Sequence, residues 1–346
     1  MADRVFPGAA MAVVHGDEVV VEAGIGRFTY EAEATPVSNE TIYDVASLTK
    51  VIATTTMAML LQERGRLELE ASASSVLPEL VAMSTESARM RRITFRMLLA
   101  HSSGLPAYAP LFETCRTRED LLYAAMALPL EAEPGTRVAY SDIGFIILGA
   151  ALERVAGEPL DQYCAREVFT PLGMRETAFR PSAEWKPRIP PTEDDQTFRH
   201  RAIQGEVHDE NASVLGGVAG HAGLFSSVRD VATFARYLLA GGAPLLARET
   251  LALFTRREVL PDDMPGNNTR ALGWDTPGEH SQAGRYFSAR SFGHLGFTGT
   301  SLWIDPERKL AIALLSNRTW PTREQSGEAI KRVRPAFHDA VAEALG

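Results

Sequence analysis

Residues 47–50 read Ser-Leu-Thr-Lys, a serine followed three positions later by a lysine. They lie in Thr41–Arg64, a segment rich in helix formers that stops at Gly65, so we predict a helix here with Ser47 where it begins. One helical turn then places Lys50 on the same face as the serine, whose hydroxyl lies at the positive end of the helix dipole. A buried lysine loses proton affinity and can serve as the base that a serine nucleophile needs.

Two further motifs could complete such a site. Tyr140-Ser141-Asp142 follows a Pro-Gly turn and precedes an apolar helix predicted over Ile143–Val155. A tyrosine beside a lysine ammonium can lose its proton or relay one. Gly293–Gly299, with the sequence GHLGFTG, has glycines that let a substrate lie close to a strand edge. A free amide there could form an oxyanion hole together with the amide of Ser47.

The composition is that of an ordinary globular enzyme. Of 346 residues, 45% are apolar and 23% charged, which excludes a mainly disordered chain. The best candidates for a membrane span, Val51–Leu61 and Gly144–Leu152, fall well short of the roughly 18 apolar residues that a span needs. The net charge is −9 and no basic run occurs, which argues against nucleic-acid binding. Cys115 and Cys164 fit no metal or redox spacing, so we expect two buried free thiols.

Strand patterns occur at both ends of the chain, and helical patterns occur between them. The predicted strands are a hairpin of Ala9–Val14 and Val19–Ala23, then Tyr286–Phe292, Gly299–Ile304 and Leu310–Ser316. The other predicted helices are Ile93–Ala100, Leu160–Phe169, Val231–Leu239 with Asp230 as its N-cap, and Glu328–Leu345. Surface loops are predicted at Pro181–Gln196 and Pro261–Asn268. This order implies one sheet built from distant segments, with a helical region inserted into it.

The order Ser-x-x-Lys, Tyr-Ser-Asp, His-x-Gly resembles the penicillin-recognising serine hydrolases, and within them the class C β-lactamase-like group. That group also holds D-alanyl-D-alanine carboxypeptidases, penicillin-binding esterases and peptidases. Similar connecting segments are Pro7-Gly8, Leu98–Pro106, Pro171–Met174 and Gly217–Phe225. The resemblance covers nearly the whole chain. It implies an α+β fold in which an antiparallel β-sheet flanked by helices carries an inserted all-helical region, with the site between the two.

The resemblance also implies a domain organisation and a set of roles. We expect one catalytic domain over residues 1–346, with an α/β part at about 1–65 and 270–346 and a mostly helical part at about 66–269. Ser47 corresponds to the acylated nucleophile, Lys50 to its base partner, and Tyr140 to the residue that shuttles protons. The backbone amides of Ser47 and Phe297 correspond to the oxyanion hole. No metal or cofactor is implied.

Three positions depart from the family pattern. His294 and Gly296 correspond to the ends of the Lys-Thr-Gly strand motif and are predicted to bind substrate, but a histidine is mostly neutral at pH 7 where lactamases carry lysine. Leu295 replaces a hydroxyl residue. Asp142 stands where asparagine is usual; it is predicted to contact substrate and to hold Lys50 charged, which moves the base role toward the tyrosine. We therefore expect weak or no β-lactamase activity.

The segment Val207–Ala212 resembles a subset of the family linked to cell-wall fragments and muropeptide amides. Its polar residues His208 and Asp209 are predicted to border the cleft and bind substrate, with a structural role equally open. For His221 and His101 we expect structural roles, because a buried histidine is usually satisfied by one hydrogen bond.

Together these features predict a serine hydrolase that forms an acyl-enzyme on an ester or amide bond. Its substrate would be a D-alanyl peptide or muropeptide amide, or a small ester as in penicillin-binding esterases. A non-catalytic penicillin-binding sensor is the remaining alternative. The expected partner is a small molecule or short peptide, without nucleic acid or a membrane span, and the oligomeric state stays open. The N-terminal residues do not read as a signal peptide, which predicts a cytoplasmic protein, or a periplasmic or secreted one if translation starts upstream.

Overall fold

The computed structural model describes residues 4–258, 269–278 and 281–345. Its strands are β1 (Gly8–His15), β2 (Glu18–Gly26), β3 (Ile42–Asp44), β4 (Ala178–Phe179), β5 (Glu193–Asp195), β6 (Arg201–Ile203), β7 (Leu224–Ser227), β8 (Phe292–Leu295), β9 (Ser301–Asp305) and β10 (Leu310–Ser316). Its α-helices are α1 (Thr56–Glu63), α2 (Glu79–Ala82), α3 (Ser87–Met90), α4 (Phe95–Leu99), α5 (Arg118–Ala127), α6 (Asp142–Ala156), α7 (Leu160–Cys164), α8 (Thr170–Leu172), α9 (Glu210–Val214), α10 (Val228–Leu239), α11 (Arg248–Thr255) and α12 (Gly327–Ala344). Shorter or wider helical turns cover Lys50–Thr55, Ala73–Ser75, Leu111–Glu113, Ala165–Phe169 and Ala183–Arg188. The predicted loop Pro261–Asn268 lies outside the described residues.

The main sheet has five antiparallel strands in the order β2-β1-β10-β9-β8. Strand β1 from the start of the chain pairs with β10 from its end, in a register that joins Ala9 to Ser316 and His15 to Leu310. The helices from α1 to α11 come from the sequence between β3 and β8. This arrangement confirms the expected α+β class, an antiparallel sheet flanked by helices.

Side chains of the central strands alternate between two faces, as the pleat requires. In β10, Ile312 and Leu314 pack toward the last helix α12, through clusters that include Ala342 and Ile330. The intervening residues of β10, with their neighbours in β1, belong to the large core that α10 also enters. Both faces of the central strands are therefore covered, which makes the sheet a rigid support for the residues at its edge.

A second, smaller sheet has the strand order β3-β7-β4. Its strand β3 leads directly into the segment that contains the predicted nucleophile Ser47. The prediction of a helix from Thr41 is wrong at its start, because Ile42–Asp44 pairs antiparallel with β7. A short run of β-branched and aromatic residues suits a strand, and its partner lies far along the sequence. The helical conformation begins at Leu48, directly after Ser47.

Three other local predictions are corrected. Part of the predicted loop Pro181–Gln196 is the strand β5, which pairs with β6 and has two buried acidic residues. The predicted strand Tyr286–Phe292 lies later, at Phe292–Leu295, where β9 supplies its hydrogen-bonding partner. The N-cap of α10 is Ser227, whose hydroxyl accepts the N–H of Asp230 at 3.3 Å. Asp230 itself sits inside the first turn and accepts hydrogen bonds from another segment.

Within the described residues, no helix is long and apolar enough to cross a membrane. Cys115 and Cys164 are both buried free thiols, as expected. Cys164 lies beside the Ala53 carbonyl at 3.6 Å, and burial raises the pKa of its thiol far above the ordinary value. It is therefore a packing residue rather than a reactive thiol.

Candidate active site

Ser47 lies directly after β3, where the chain turns sharply into the helical segment. Asp44 ends the strand, and its Oδ1 accepts the N–H of Ala46 at 2.8 Å, a local turn that aspartate favours. Ala46 has a left-handed φ of 48°, which is uncommon for a residue with a Cβ. This turn places the side chain of Ser47 in the wall of a cleft of about 740 Å³.

Lys50 is fully buried one helical turn after Ser47. Its Nζ donates to Ser47 Oγ at 2.9 Å, to Asp142 Oδ1 at 2.6 Å and to the His221 carbonyl at 3.0 Å. Burial alone would lower the pKa of Lys50, but the nearby Asp142 and Tyr140 oxygens outweigh it and raise the pKa above its ordinary value. Lys50 is therefore an ammonium in the resting protein, as expected from the aspartate at 142.

Tyr140 reaches the same serine from the start of α6. The hydroxyl of Ser141 caps this helix by accepting the N–H of Gly144 at 2.9 Å, while the Ser141 N–H donates to His101 Nδ1 at 3.0 Å. These contacts hold the tripeptide in place, and His101 acts as a structural acceptor. The Tyr140 hydroxyl donates to Ser47 Oγ at 2.9 Å.

Two cations flank the ring of Tyr140. Lys50 Nζ lies 4.9 Å and Arg270 Cζ 5.4 Å from the ring centroid. Desolvation of the hydroxyl nevertheless raises the pKa of Tyr140, with the charge of Lys50 opposing that rise. The phenol is therefore protonated in the resting protein, and the Lys50–Tyr140 pair must lose one proton before it can accept another from Ser47.

The turn after β8 is tied to the nucleophile strand. Thr298 Oγ1 donates to the Asp44 carbonyl at 2.9 Å, and Thr300 Oγ1 donates to the Val45 carbonyl at 3.0 Å. The Gly296 N–H closes the turn on the Thr300 carbonyl at 2.7 Å. These bonds fix the 296–300 turn against the segment that presents the serine.

This turn carries the second predicted oxyanion donor. Among the described residues, neither the Ser47 N–H nor the Phe297 N–H donates to a protein acceptor. Two such amides on adjoining segments can donate to the oxygen of a tetrahedral intermediate. Only glycine fits at position 296, because a Cβ there would clash with its neighbours. It would lie 1.9 Å from Thr300 Oγ1 and 2.6 Å from the Val45 carbonyl oxygen.

His294 lies on β8 in the wall of the cleft. Its Nδ1 lies 2.8 Å from the Leu295 carbonyl, which places the proton on Nδ1 and leaves Nε2 as a hydrogen-bond acceptor. Nε2 is buried and has no partner among the described residues. Burial, with the charges of Lys50 and Arg270, holds the pKa of His294 well below its usual range. The ring is therefore neutral and offers no positive charge to a substrate.

The predicted residues His208 and Asp209 both line the cleft. His208 Nε2 lies 2.8 Å from Glu193 Oε2, its backbone N–H donates to Asp44 Oδ2 at 2.7 Å, and its ring stacks on Phe297 at 5.7 Å between centroids. It thus joins the nucleophile strand to the oxyanion turn.

Asp209 caps α9 by accepting the N–H of Ala212 at 2.7 Å, and the same Oδ1 lies 2.9 Å from His221 Nε2. The histidine holds the pKa of Asp209 well below its usual range despite burial. The His221 side chain orients Asp209 while its carbonyl accepts from Lys50, so its expected structural role includes direct support of the site.

Several cleft residues were not found by sequence reasoning. They are Arg270, Arg318 and Arg334, which line the cleft, and Glu193 and Arg323, which form an ion pair behind His208. None belongs to a local motif, and their importance depends on which charges the fold brings near them. Among the described residues, no group of three or more histidine, cysteine or acidic side chains could hold a metal ion.

Comparison with known proteins gives a consistent result. A family model described as Beta-lactamase matches residues 1–334. An N-acetylmuramyl-L-alanine amidase of Bacillus subtilis (strain 168) is 32% identical, over 90% of this chain and 77% of that protein. A protein named "Putative D-alanyl-D-alanine carboxypeptidase" from Salmonella typhi is 30% identical, over 91% of this chain and 80% of that protein. The solved class C β-lactamase of Rhodobacter sphaeroides superposes with a TM-score of 0.73 at 21% identity, covering 100% of this chain and 97% of that one.

Proposed function

This chain belongs to the β-lactamase family and is a serine hydrolase of that family, and from this premise we propose that it cleaves an amide bond of a cell-wall peptide through an acyl-enzyme on Ser47. One observation carries the assignment of the nucleophile. Ser47 Oγ lies 2.9 Å from Lys50 Nζ and 2.9 Å from the Tyr140 hydroxyl. A serine held by both groups is placed for proton removal at the moment of attack.

The reaction follows from these contacts. Once the Lys50–Tyr140 pair has lost a proton, it takes the proton of Ser47 as Oγ bonds to the substrate carbonyl carbon. The Ser47 and Phe297 amides stabilise the oxyanion. The pair then gives the proton to the leaving nitrogen as the C–N bond breaks. A water molecule attacks the acyl carbon in the same way, and Ser47 leaves with the proton restored.

Two features support a cell-wall peptide as the substrate. The relatives named as amidase and carboxypeptidase match nine-tenths of this chain. The cleft that holds Ser47 is also lined by His208, whose backbone N–H is anchored to Asp44, and by Asp209. The bond cleaved is the one between muramic acid and L-alanine, or between two D-alanines. β-Lactam hydrolysis is weak, because His294 supplies no permanent positive charge.

A small-molecule carboxylesterase is the second candidate. The neutral imidazole of His294, with its bare Nε2, suits a substrate without a carboxylate. A non-catalytic penicillin-binding sensor is the third, and the intact contacts of Ser47, Lys50 and Tyr140 argue against it.

The test begins with turnover of p-nitrophenyl acetate by the wild type and by Ser47→Ala. A panel of muramyl-L-alanine, a D-alanyl-D-alanine peptide and nitrocefin then separates the substrate classes, with mass spectrometry to detect acylated Ser47. We expect cleavage of one of the two peptides, lost in Ser47→Ala. Ester turnover without peptide cleavage assigns a carboxylesterase. A stable adduct that never turns over assigns a sensor.

A further inference from the structure

One hydrogen-bonding atom in the cleft wall takes no part in the acylation and deacylation steps. His294 is 2% exposed, and it lines the cleft that holds Ser47. Its Nδ1 donates to the Leu295 carbonyl at 2.8 Å, so the proton of the neutral imidazole is used there and Nε2 offers only a lone pair. No described residue donates to this nitrogen. A buried acceptor without a donor costs free energy, and a ligand that supplies the donor recovers it.

The charge state of the ring keeps Nε2 an acceptor. Burial, with the nearby cations Lys50 and Arg270, holds the pKa of His294 well below its usual range. Both cations are themselves paired with carboxylates, Lys50 with Asp142 and Arg270 with Asp275. At neutral pH, Nε2 therefore attracts an N–H group and repels the oxygen lone pairs of a carboxylate.

The position of His294 beside Tyr140 indicates which part of a substrate can reach it. The centroids of the two rings are 5.9 Å apart, and the Tyr140 hydroxyl donates to Ser47 Oγ at 2.9 Å. In the proposed reaction, the Lys50–Tyr140 pair gives the proton to the leaving nitrogen, so this nitrogen lies on the Tyr140 side of the scissile carbon. The residue attached to the leaving nitrogen can then extend toward β8, where His294 lies.

We propose that His294 Nε2 accepts the peptide N–H that follows the leaving residue. This inference rests on the proposed function and narrows it to leaving groups that continue as a peptide. In a muramyl peptide, the L-alanine that leaves is followed by another amide, which supplies the N–H group. In a D-alanyl-D-alanine peptide, the residue that leaves ends in a carboxylate, which supplies none. The acceptor therefore favours the bond between muramic acid and L-alanine.

Binding to Ser47→Ala protein, which cannot form the acyl-enzyme, tests the acceptor directly. Three ligands are titrated by calorimetry: N-acetylmuramyl-L-alanine methylamide, the corresponding methyl ester and the free acid. The methylamide and the ester are both neutral and nearly equal in size, but only the methylamide has the N–H group. We expect the methylamide to bind about tenfold more tightly than the ester, and the acid to bind more weakly than either.

Two variants in the same Ser47→Ala background assign the preference to His294. His294→Phe removes Nε2 and keeps an aromatic ring, so the methylamide and the ester should bind equally. His294→Lys replaces the acceptor by a cationic donor, so the acid should become the tightest of the three ligands. A reversed order of affinities cannot result from a damaged fold. The control is Tyr108→Phe, which removes a polar atom from the same cleft and should leave the methylamide-to-ester ratio unchanged.

Several results would contradict the acceptor. They are equal affinity of the Ser47→Ala protein for methylamide and ester, tighter binding of the acid than of the ester, no measurable affinity for any ligand, a methylamide preference that survives in His294→Phe, or the same loss of preference in Tyr108→Phe. Peptide cleavage by the wild type is scored separately. Cleavage without a methylamide preference overturns the acceptor alone, whereas the preference without cleavage of any peptide overturns the proposed function alone.

Discussion

Lys50 Nζ lies 2.6 Å from Asp142 Oδ1, so the proposed base partner of the nucleophile is held as a cation by a carboxylate from another helix. The same carboxylate raises the pKa of both Lys50 and Tyr140. Whichever of the two takes the proton of Ser47, its basic form becomes populated only as the pH rises.

Replacing Asp142 by asparagine tests this relationship. Loss of the negative charge lowers the pKa of both groups, so we expect the rising limb of the pH profile of kcat/KM to move down by about one pH unit. The amide oxygen of the new side chain can still accept from Lys50, and activity is retained. The measurement is ester hydrolysis from about pH 6 to about pH 10, a range that spans the expected limb. A profile identical to that of the wild type contradicts the prediction.

Tyr140→Phe removes only the hydroxyl that donates to Ser47 Oγ. The ring still packs beside His101, with centroids 4.7 Å apart, so the fold is expected to persist. Loss of proton transfer should lower kcat by about 10²- to 10⁴-fold with little change in KM. Tyr108→Phe is the control, because its ring lines the same cleft and makes no described contact with the serine. Equal losses in the two variants would refute a specific role for Tyr140.

Asp44 is a positioning residue for the nucleophile, since its carboxylate accepts the N–H groups of Ala46 and His208 at 2.8 and 2.7 Å. In Asp44→Asn, an NH₂ group replaces one of the two carboxylate oxygens. This new donor then faces the N–H group of Ala46 or His208, which also donates. We expect a loss of about 1–3 kcal/mol in the free energy of unfolding. We also expect a fall in kcat, because Ala46 no longer holds its left-handed turn.

The comparison for Asp44→Asn is Asp194→Asn, which alters an exposed aspartate of β5. Urea unfolding and ester kinetics are measured for both. If Asp44→Asn loses stability but keeps the wild-type kcat, the residue supports the fold alone.

The sequence predicted the parts of the site that lie in short motifs. Ser47 and Lys50 are one turn apart, and Tyr140 and Asp142 start one helix, so local spacing places each pair. The main strands at the two chain ends were also visible as apolar runs. The catalytic roles of the four residues remain predictions until the variants above are measured.

Contacts between distant segments were not predictable in this way. The bond between Asp44 and the His208 N–H joins residues 164 positions apart, and the pairing with β7 explains why 42–44 is a strand rather than the start of a helix. The environment of Arg334 was not predictable either. The sequence of its own helix does not show that its guanidinium group faces only neutral acceptors, such as the Gly296 and Thr300 carbonyls. Such features depend on the tertiary environment and not on local propensity.

Asp230 gives a prediction for stability. Burial raises its pKa to about 6, although Thr177 and the Glu176 N–H donate to its carboxylate. Since the folded pKa lies above the unfolded one, the neutral form stabilises the fold at low pH. That contribution is lost as the pH rises through about 6.

Asp230→Asn keeps an acceptor without the buried charge. We compare the free energy of unfolding of the variant with that of the wild type. As the pH rises from about 4 to about 7, this difference should shift in favour of the variant by up to about 3 kcal/mol. Denaturant titrations at the two pH values measure this difference. The matched control is Asp17→Asn, which makes the same substitution at an exposed site. A difference that does not vary with pH would count against the buried charge.

The pairing of β1 with β10 sets when this enzyme can become active during its synthesis. Ala9 is synthesised about 300 residues before its partner Ser316. At about 5–20 residues per second, the first strand waits about 15–60 s for the edge it must join. The nucleophile segment is made early too, yet its oxyanion turn arrives just before Ser316. The nascent chain therefore stays inactive until Ser316 has been made, and its exposed hairpin is the region that a chaperone would need to shield.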